Sequence, residues 1–215
     1  MKSISKLFMN LALVGGLAGL GACASITSLT TAKTLKGGTS EWAVAGTYSN
    51  LKLNQSEEDI AKGDVATTAP GVDVQWRYGL TDDDEIGLRA ANTLTYFIGD
   101  YKRALVKGSD FGLSIGAGIG GTQYSIGTVS NTVLDFYVPT VFADFYVSDS
   151  MTIFAAPKFM FRMQMGDVSS NMSQLAVSGG MKWGKDSGVI LEGGWSKAFV
   201  DGAGSGWQVA AGYFF

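Results

Sequence analysis

The chain has 215 residues, of which 46% are hydrophobic and 30 are glycine, with only 3 prolines and a net charge of −3. This composition fits a β-protein with close backbone approaches and excludes a disordered chain. The absence of histidine excludes Ser-His hydrolases, histidine-ligated zinc and histidine general bases, the single cysteine excludes an intrachain disulfide, and the acidic balance argues against nucleic acid as a partner.

The first segment is a targeting signal in its pattern. Lys2 and Lys6 precede an apolar stretch, Leu7 to Leu20, that is short for a membrane span and is weakened as a helix by Gly15, Gly16 and Gly19. Small residues follow. Residues 1–22 are therefore set aside as a signal peptide. Their loss lowers the 16 basic residues to 14 against 19 acidic ones, a net charge of −5.

The stretch Leu20-Gly21-Ala22-Cys23 resembles the lipobox of bacterial lipoproteins. The resemblance implies cleavage before Cys23, thioether attachment of diacylglycerol to its thiol, and stable anchoring by two or three acyl chains. Ala24 follows the cysteine, which in that family's pattern permits export to the outer membrane. Ala22-Cys23-Ala24 also resembles an ordinary A-x-A cleavage site that leaves Ser25 as the mature start. Residues 23–40, rich in Thr, Ser and Gly, then read as a lipidated N-terminus and periplasmic tether.

From Glu41 onward the dominant period is two. Trp42, Val44, Gly46 and Tyr48 share one face. Val72, Val74, Trp76 and Tyr78 alternate with Asp73, Gln75 and Arg77, and Ile86 and Leu88 with Glu85 and Arg89. Further on, Phe111 to Ile119 alternates with Gly112 to Gly120, and Ile153 to Phe161 with Phe154 to Arg162. Leu175 to Trp183 and Val189 to Trp195 alternate in the same way. The pattern predicts ten strands near 41–53, 71–80, 85–92, 96–106, 111–122, 133–147, 152–162, 172–183, 188–198 and 206–215. The stretch 85–106 lacks a strong central turn signal, so eight strands is the alternative count.

Strands of this length suit a tilted crossing of a bilayer, which takes about 9–11 residues. Connections alternate between short (Thr81–Asp84, Lys107–Asp110, Ser148–Ser150, Gly184–Ser187) and long (Asn54–Gly71, Thr122–Thr132, Met163–Asn171, Asp201–Ser205). The expected fold is an all-β, antiparallel up-and-down transmembrane barrel over 41–215. The final stretch, with Trp207, Val209, Ala211, Tyr213 and Phe215 at alternate positions, resembles the C-terminal β-signal of bacterial outer-membrane proteins. That resemblance implies capture by the barrel-assembly machinery through edge pairing. An even strand count puts both chain ends on the side of the short turns, which in such barrels is periplasmic.

In this register the lumen receives Asp73, Arg77, Glu85, Arg89, Asp144, Lys158, Arg162, Lys182 and Glu192, five bases and four acids. Buried charges must pair, and a barrel of this size has an interior that side chains can fill. A structural ion-pair network is expected, with Asp144 and Glu192 reaching Arg77 and Arg89 from across the lumen. The acidic turn Thr81–Glu85 lacks the glycine and spacing of a calcium loop, and the acidic residues at Gln55–Asp64 read as a solvated outer loop. Arg103 falls on the outer face near a short turn. No cofactor, metal or catalytic residue is expected. The leading functional expectation is a non-enzymatic structural or partner-binding barrel in contact with outer-membrane lipid. The alternative is a narrow channel for ions or small solutes.

Overall fold

A strand with one apolar and one polar face cannot stay open at its edges without inviting wrong pairing, and closure into a barrel removes both edges. The computed structural model describes residues 25–52, 66–91, 95–126, 129–167, 170–199 and 205–215. The signal segment, Cys23, the acidic residues of the 55–64 loop and residues 201–204 lie outside them. Among the described residues the chain forms ten strands: β1 Ser40–Lys52, β2 Ala66–Gly79, β3 Asp84–Ala91, β4 Tyr96–Lys107, β5 Phe111–Ile126, β6 Val129–Ser148, β7 Met151–Gly166, β8 Ser170–Gly184, β9 Gly188–Ala198 and β10 Ser205–Phe214. Each pairs antiparallel with its sequence neighbours, and β1 closes against β10. Trp42 N–H donates to the Phe215 carbonyl at 2.8 Å and Phe215 N–H to the Trp42 carbonyl at 2.9 Å, which completes the seam at the short-turn end.

The weak point of the sequence pattern resolves as a hairpin. β3 pairs β4 from Asp84↔Arg103 to Ala91↔Tyr96, so the count is ten and not eight. Two expected long loops are mostly ladder. β5 and β6 stay paired to Ile126↔Val129, and β7 and β8 to Gln164↔Ser170. The Thr, Ser, Asn and Tyr residues there have the polarity of a loop, but as paired residues they meet their backbone needs in the ladder. β6 consequently runs 20 residues, far more than the ~9–11 that cross a bilayer.

Side chains alternate as the period of two requires. Val44, Trp195, Val209 and Leu191 point outward and are exposed, while Gln75, Ser178 and Gln208 point inward and are buried. In β6 this parity switches. Tyr137 and Thr140 both face inward, and the register with β7 shifts between them at Val138-Pro139. A proline cannot donate to the ladder and sits here at that irregularity.

The largest departure from expectation lies before β1. Residues 25–35 are not a tether outside the barrel. Ser25, Thr27, Leu29 and Ala32 are each exposed by no more than 2%, within the lumen. The segment descends to the short-turn end, where Gly38 takes a left-handed φ of +81° and turns the chain into β1. The carbonyls of Leu35 and Lys36 pass so close to Gly79 that any β-carbon there would overlap them. The physical reason for burial is that a ten-stranded lumen needs filling, and a Thr/Ser/Ala segment supplies backbone polar groups to match the charged wall.

Candidate functional site: a plugged lumen

Residues 25–36 form neither helix nor strand, so their amide and carbonyl groups have no ladder partners and must find others inside the barrel. Wall side chains from β2 to β10 supply them. Gln208 on β10 accepts the Ile26 and Thr27 amides at 2.9 and 3.1 Å. Glu192 on β9 accepts the Ser28 and Leu29 amides, one on each oxygen, both at 2.6 Å. Asp144 on β6 does the same for Ala32 and Lys33 at 2.7 and 2.9 Å. Glu85 on β3 accepts Leu35 N–H at 2.8 Å, and Asp82 in the adjoining turn accepts Gly37 N–H at 3.0 Å.

The carbonyls are met by cations and hydroxyls. Arg89 donates to Thr27 O at 2.6 Å, and Lys102 to Thr31 O and Lys33 O at 2.7 and 3.1 Å. Lys158 lies 3.5 and 3.4 Å from Ser25 O and Thr27 O, and Ser114 donates to Ala32 O. Gln75, with its amide oriented to donate to Leu29 O at 3.1 Å, accepts in turn from Arg77. Charge-assisted bonds of this kind are roughly twice as strong as neutral ones.

Leu29 anchors the segment. It is the one described non-glycine residue with a left-handed backbone, φ +53°, and its side chain packs among Ala45, Phe154, Ile190 and Ala210. Above it, Ile26 lies against β9 at Gly194, where a β-carbon would overlap its Cγ2. Both placements depend on small wall residues.

All nine lumen residues singled out by sequence face inward. Eight are buried, and Lys182 is part-exposed near the short-turn end, paired with Glu41 at 2.7 Å and lying over the Phe214 ring. Their partners differ from expectation. Arg77 pairs with Glu85 and with Asp100 (2.6 Å), and Arg89 with Asp73 (2.9 Å). Asp144 and Glu192 do not reach these guanidiniums, because the plug lies between and takes both carboxylates. Gly87 faces the Arg77–Asp100 pair, and a β-carbon there would crowd both groups.

Four further charged groups of the lumen were not singled out. Lys102 is fully buried and lies 3.1 Å from Glu85, while Asp100 and Glu41 pair as above. Arg103 points outward, which by alternation puts Lys102 and Asp100 inside; that signal was present in the sequence. Asp135 was hidden, since carrying the parity of Asp144 back along β6 without the Pro139 irregularity puts it on the outer face. It accepts both Nε and Nη2 of Arg162 at 2.7 Å and a hydrogen bond from Tyr96. With Tyr137, Ile98 and Met160 this cluster fills the long-loop half of the lumen.

Between plug and wall, beside Arg77, Arg89, Asp100 and Lys158, a cavity of about 50 Å³ remains. That is room for a few waters. Trp207, Val209, Ala211, Tyr213 and Phe215 all lie on the outer face of the barrel.

The sequence matches no protein-family model and none of the curated proteins. Among solved structures, the chain is similar to the attachment invasion locus protein of Yersinia pestis, with 11% identity, 84% of this chain and all of that one covered, and a TM-score of 0.41. It is also similar to the beta domain of the Bordetella autotransporter BrkA, with 11% identity over 81% of this chain and 98% of that one and a TM-score of 0.46. A third, an outer-membrane channel from Pseudomonas putida F1, shows 9% identity over 85% and 96% of the two chains and a TM-score of 0.44.

Proposed function

We propose that this chain is a non-enzymatic barrel of the bacterial outer membrane whose lumen is sealed by its own N-terminal segment. The membrane reading rests on the outer face. Val44, Val177, Leu191 and Val209 form an apolar band, with Trp42, Trp183 and Phe215 toward the short-turn end and Tyr48, Trp195 and Trp207 toward the other. A band flanked by two aromatic belts is the surface a bilayer selects. The short-turn end, with Phe215 and the entry into β1, then lies on the periplasmic side.

The observation that carries the sealed state is the capture of the 25–36 backbone by wall side chains. Glu85, Asp144 and Glu192 are committed to plug amides, which speaks for a structural role over acid–base chemistry. The narrow-channel reading keeps one support: the seal is a segment joined at one end to β1, so its release opens the space it occupies.

Single-channel recording in planar bilayers tests this. The unmodified protein is expected to be nearly silent, and the Asp144→Ala/Glu192→Ala double variant to conduct. Large, steady conductance from the unmodified protein contradicts the sealed reading and favours the channel.

A further inference from the structure

The plug is held by its main chain. Seven of its consecutive or near-consecutive amides, at Ile26, Thr27, Ser28, Leu29, Ala32, Lys33 and Leu35, end on wall side chains. The arrangement repeats one device three times. Gln208, Glu192 and Asp144 each take two adjacent amides, at 26–27, 28–29 and 32–33, while Arg89 and Lys102 take carbonyls between and beside them. Groups common to every polypeptide therefore supply most of the recognition. Side chains add the buried Leu29 and hydroxyl contacts at Thr27, Ser28, Thr30 and Thr34, and the tight approach at Gly194 and Gly79 limits their size.

We propose that the short-turn half of the lumen is a binding site for an extended polypeptide of small side chains, occupied here in cis by Ser25–Lys36. The partner is the same segment of a second copy of this chain, which takes the place of the resident segment when the latter leaves. The inference rests on the reading of that segment as the lumen's seal, and adds that the sealed space recognises main chain. Affinity for such a ligand comes from amide and carbonyl pairing, as it does when a strand adds to a sheet edge. Here the partners are fixed side chains, so no strand register is imposed.

The test uses the full chain with its own plug unseated. Leu29→Pro with Lys33→Pro removes two plug amides and leaves every wall residue intact; folding is verified by heat-modifiable mobility. A fluorescent synthetic peptide of sequence Ser25–Lys36 should bind this variant saturably by anisotropy, at least about 20-fold tighter than it binds the unmodified barrel, whose site is filled. N-methylation of the peptide at Leu29 and Lys33 should cost at least tenfold. Alanine in place of Lys33 and Lys36, whose side chains are exposed, should change affinity less than about threefold. No saturable binding to the folded variant, or equal binding of the N-methylated peptide, overturns the proposal. Peptide binding that leaves bilayer conductance unaltered supports the site while contradicting the seal, so the two readings fail separately.

Discussion

The carboxylate of Glu192 holds Leu29 by its backbone amide, at 2.6 Å, while Leu29 adopts a φ of +53° that its side chain disfavours. Its neighbour Ser28 donates to the other oxygen. The left-handed turn costs on the order of 1–3 kcal/mol. It persists because two charge-assisted bonds and the buried leucine side chain together outweigh it.

Glu192→Ala leaves the buried Leu29 amide and the part-buried Ser28 amide without acceptors, at about 1–3 kcal/mol for a buried one. Amides of 25–36 should then exchange with deuterium roughly 100-fold faster, by that same scale, while the strand amides keep their protection. Glu192→Gln retains one acceptor and should give an intermediate rate.

Leu29 distinguishes burial from backbone strain. At an ordinary position Gly is worse than Ala, but here glycine relieves the left-handed conformation. Leu29→Ala loses the side-chain packing, about 2–5 kcal/mol, and keeps the strain. Tryptic cleavage after Lys33 should accelerate most in Leu29→Ala and less in Leu29→Gly. The reverse order contradicts the role assigned to φ.

In the long-loop half, Asp135 and Arg162 form a buried bidentate pair, and removing one partner leaves a buried charge uncompensated. Asp135→Ala should lower barrel stability by about 3–5 kcal/mol, read as an earlier urea midpoint in lipid-refolded protein. Arg103→Ala, whose side chain lies on the outside with Asp84, should leave that midpoint in place.

Most of the wall was legible in the sequence, because a period of two needs no tertiary information. The outward face of β1, the glycine-lined inner face of β5 and the inner set Phe154 to Arg162 of β7 follow from alternation alone. The hairpin at Ala91–Tyr96 was harder, since polar punctuation there is weak. The plug was not legible. Residues 25–36 have no period, and a Thr/Ser-rich stretch reads equally as solvated tether or as lumen filler. What decides is the complementary set of polar and charged wall side chains, and those come from eight different strands (β2, β3, β4, β5, β6, β7, β9 and β10). Sequence reasoning found Asp144 and Glu192 inside, but assigned them to arginines because the backbone between was not expected there.

The two processing alternatives at the N-terminus have different consequences for the plug. Cys23 is two residues from Ser25, a reach of about 7 Å, and Ser25 is 1% exposed. Acyl chains on Cys23 belong in a bilayer leaflet, so lipidated protein should show fast exchange over 25–36. Protein starting at Ser25 should show slow exchange. Intact-mass analysis and exchange on the same sample check the pairing.

The β10 end carries a prediction for assembly. Phe215 makes two of the seam's hydrogen bonds with Trp42 and, with Tyr213, presents a stacked aromatic pair outward. Deleting Phe215, or making Tyr213→Ser with Phe215→Ser, should reduce the folded, heat-modifiable barrel recovered from the outer membrane several-fold. Unchanged levels contradict a β-signal at this position.

Hydrogen exchange of the folded barrel whose chain starts at Ser25, without substitutions, tests the central claim most directly. The amides of Ser28, Leu29, Ala32 and Lys33 are predicted to exchange as slowly as those of the neighbouring strands. Exchange at the rate of an unstructured peptide, with the strands still protected, contradicts the plugged lumen.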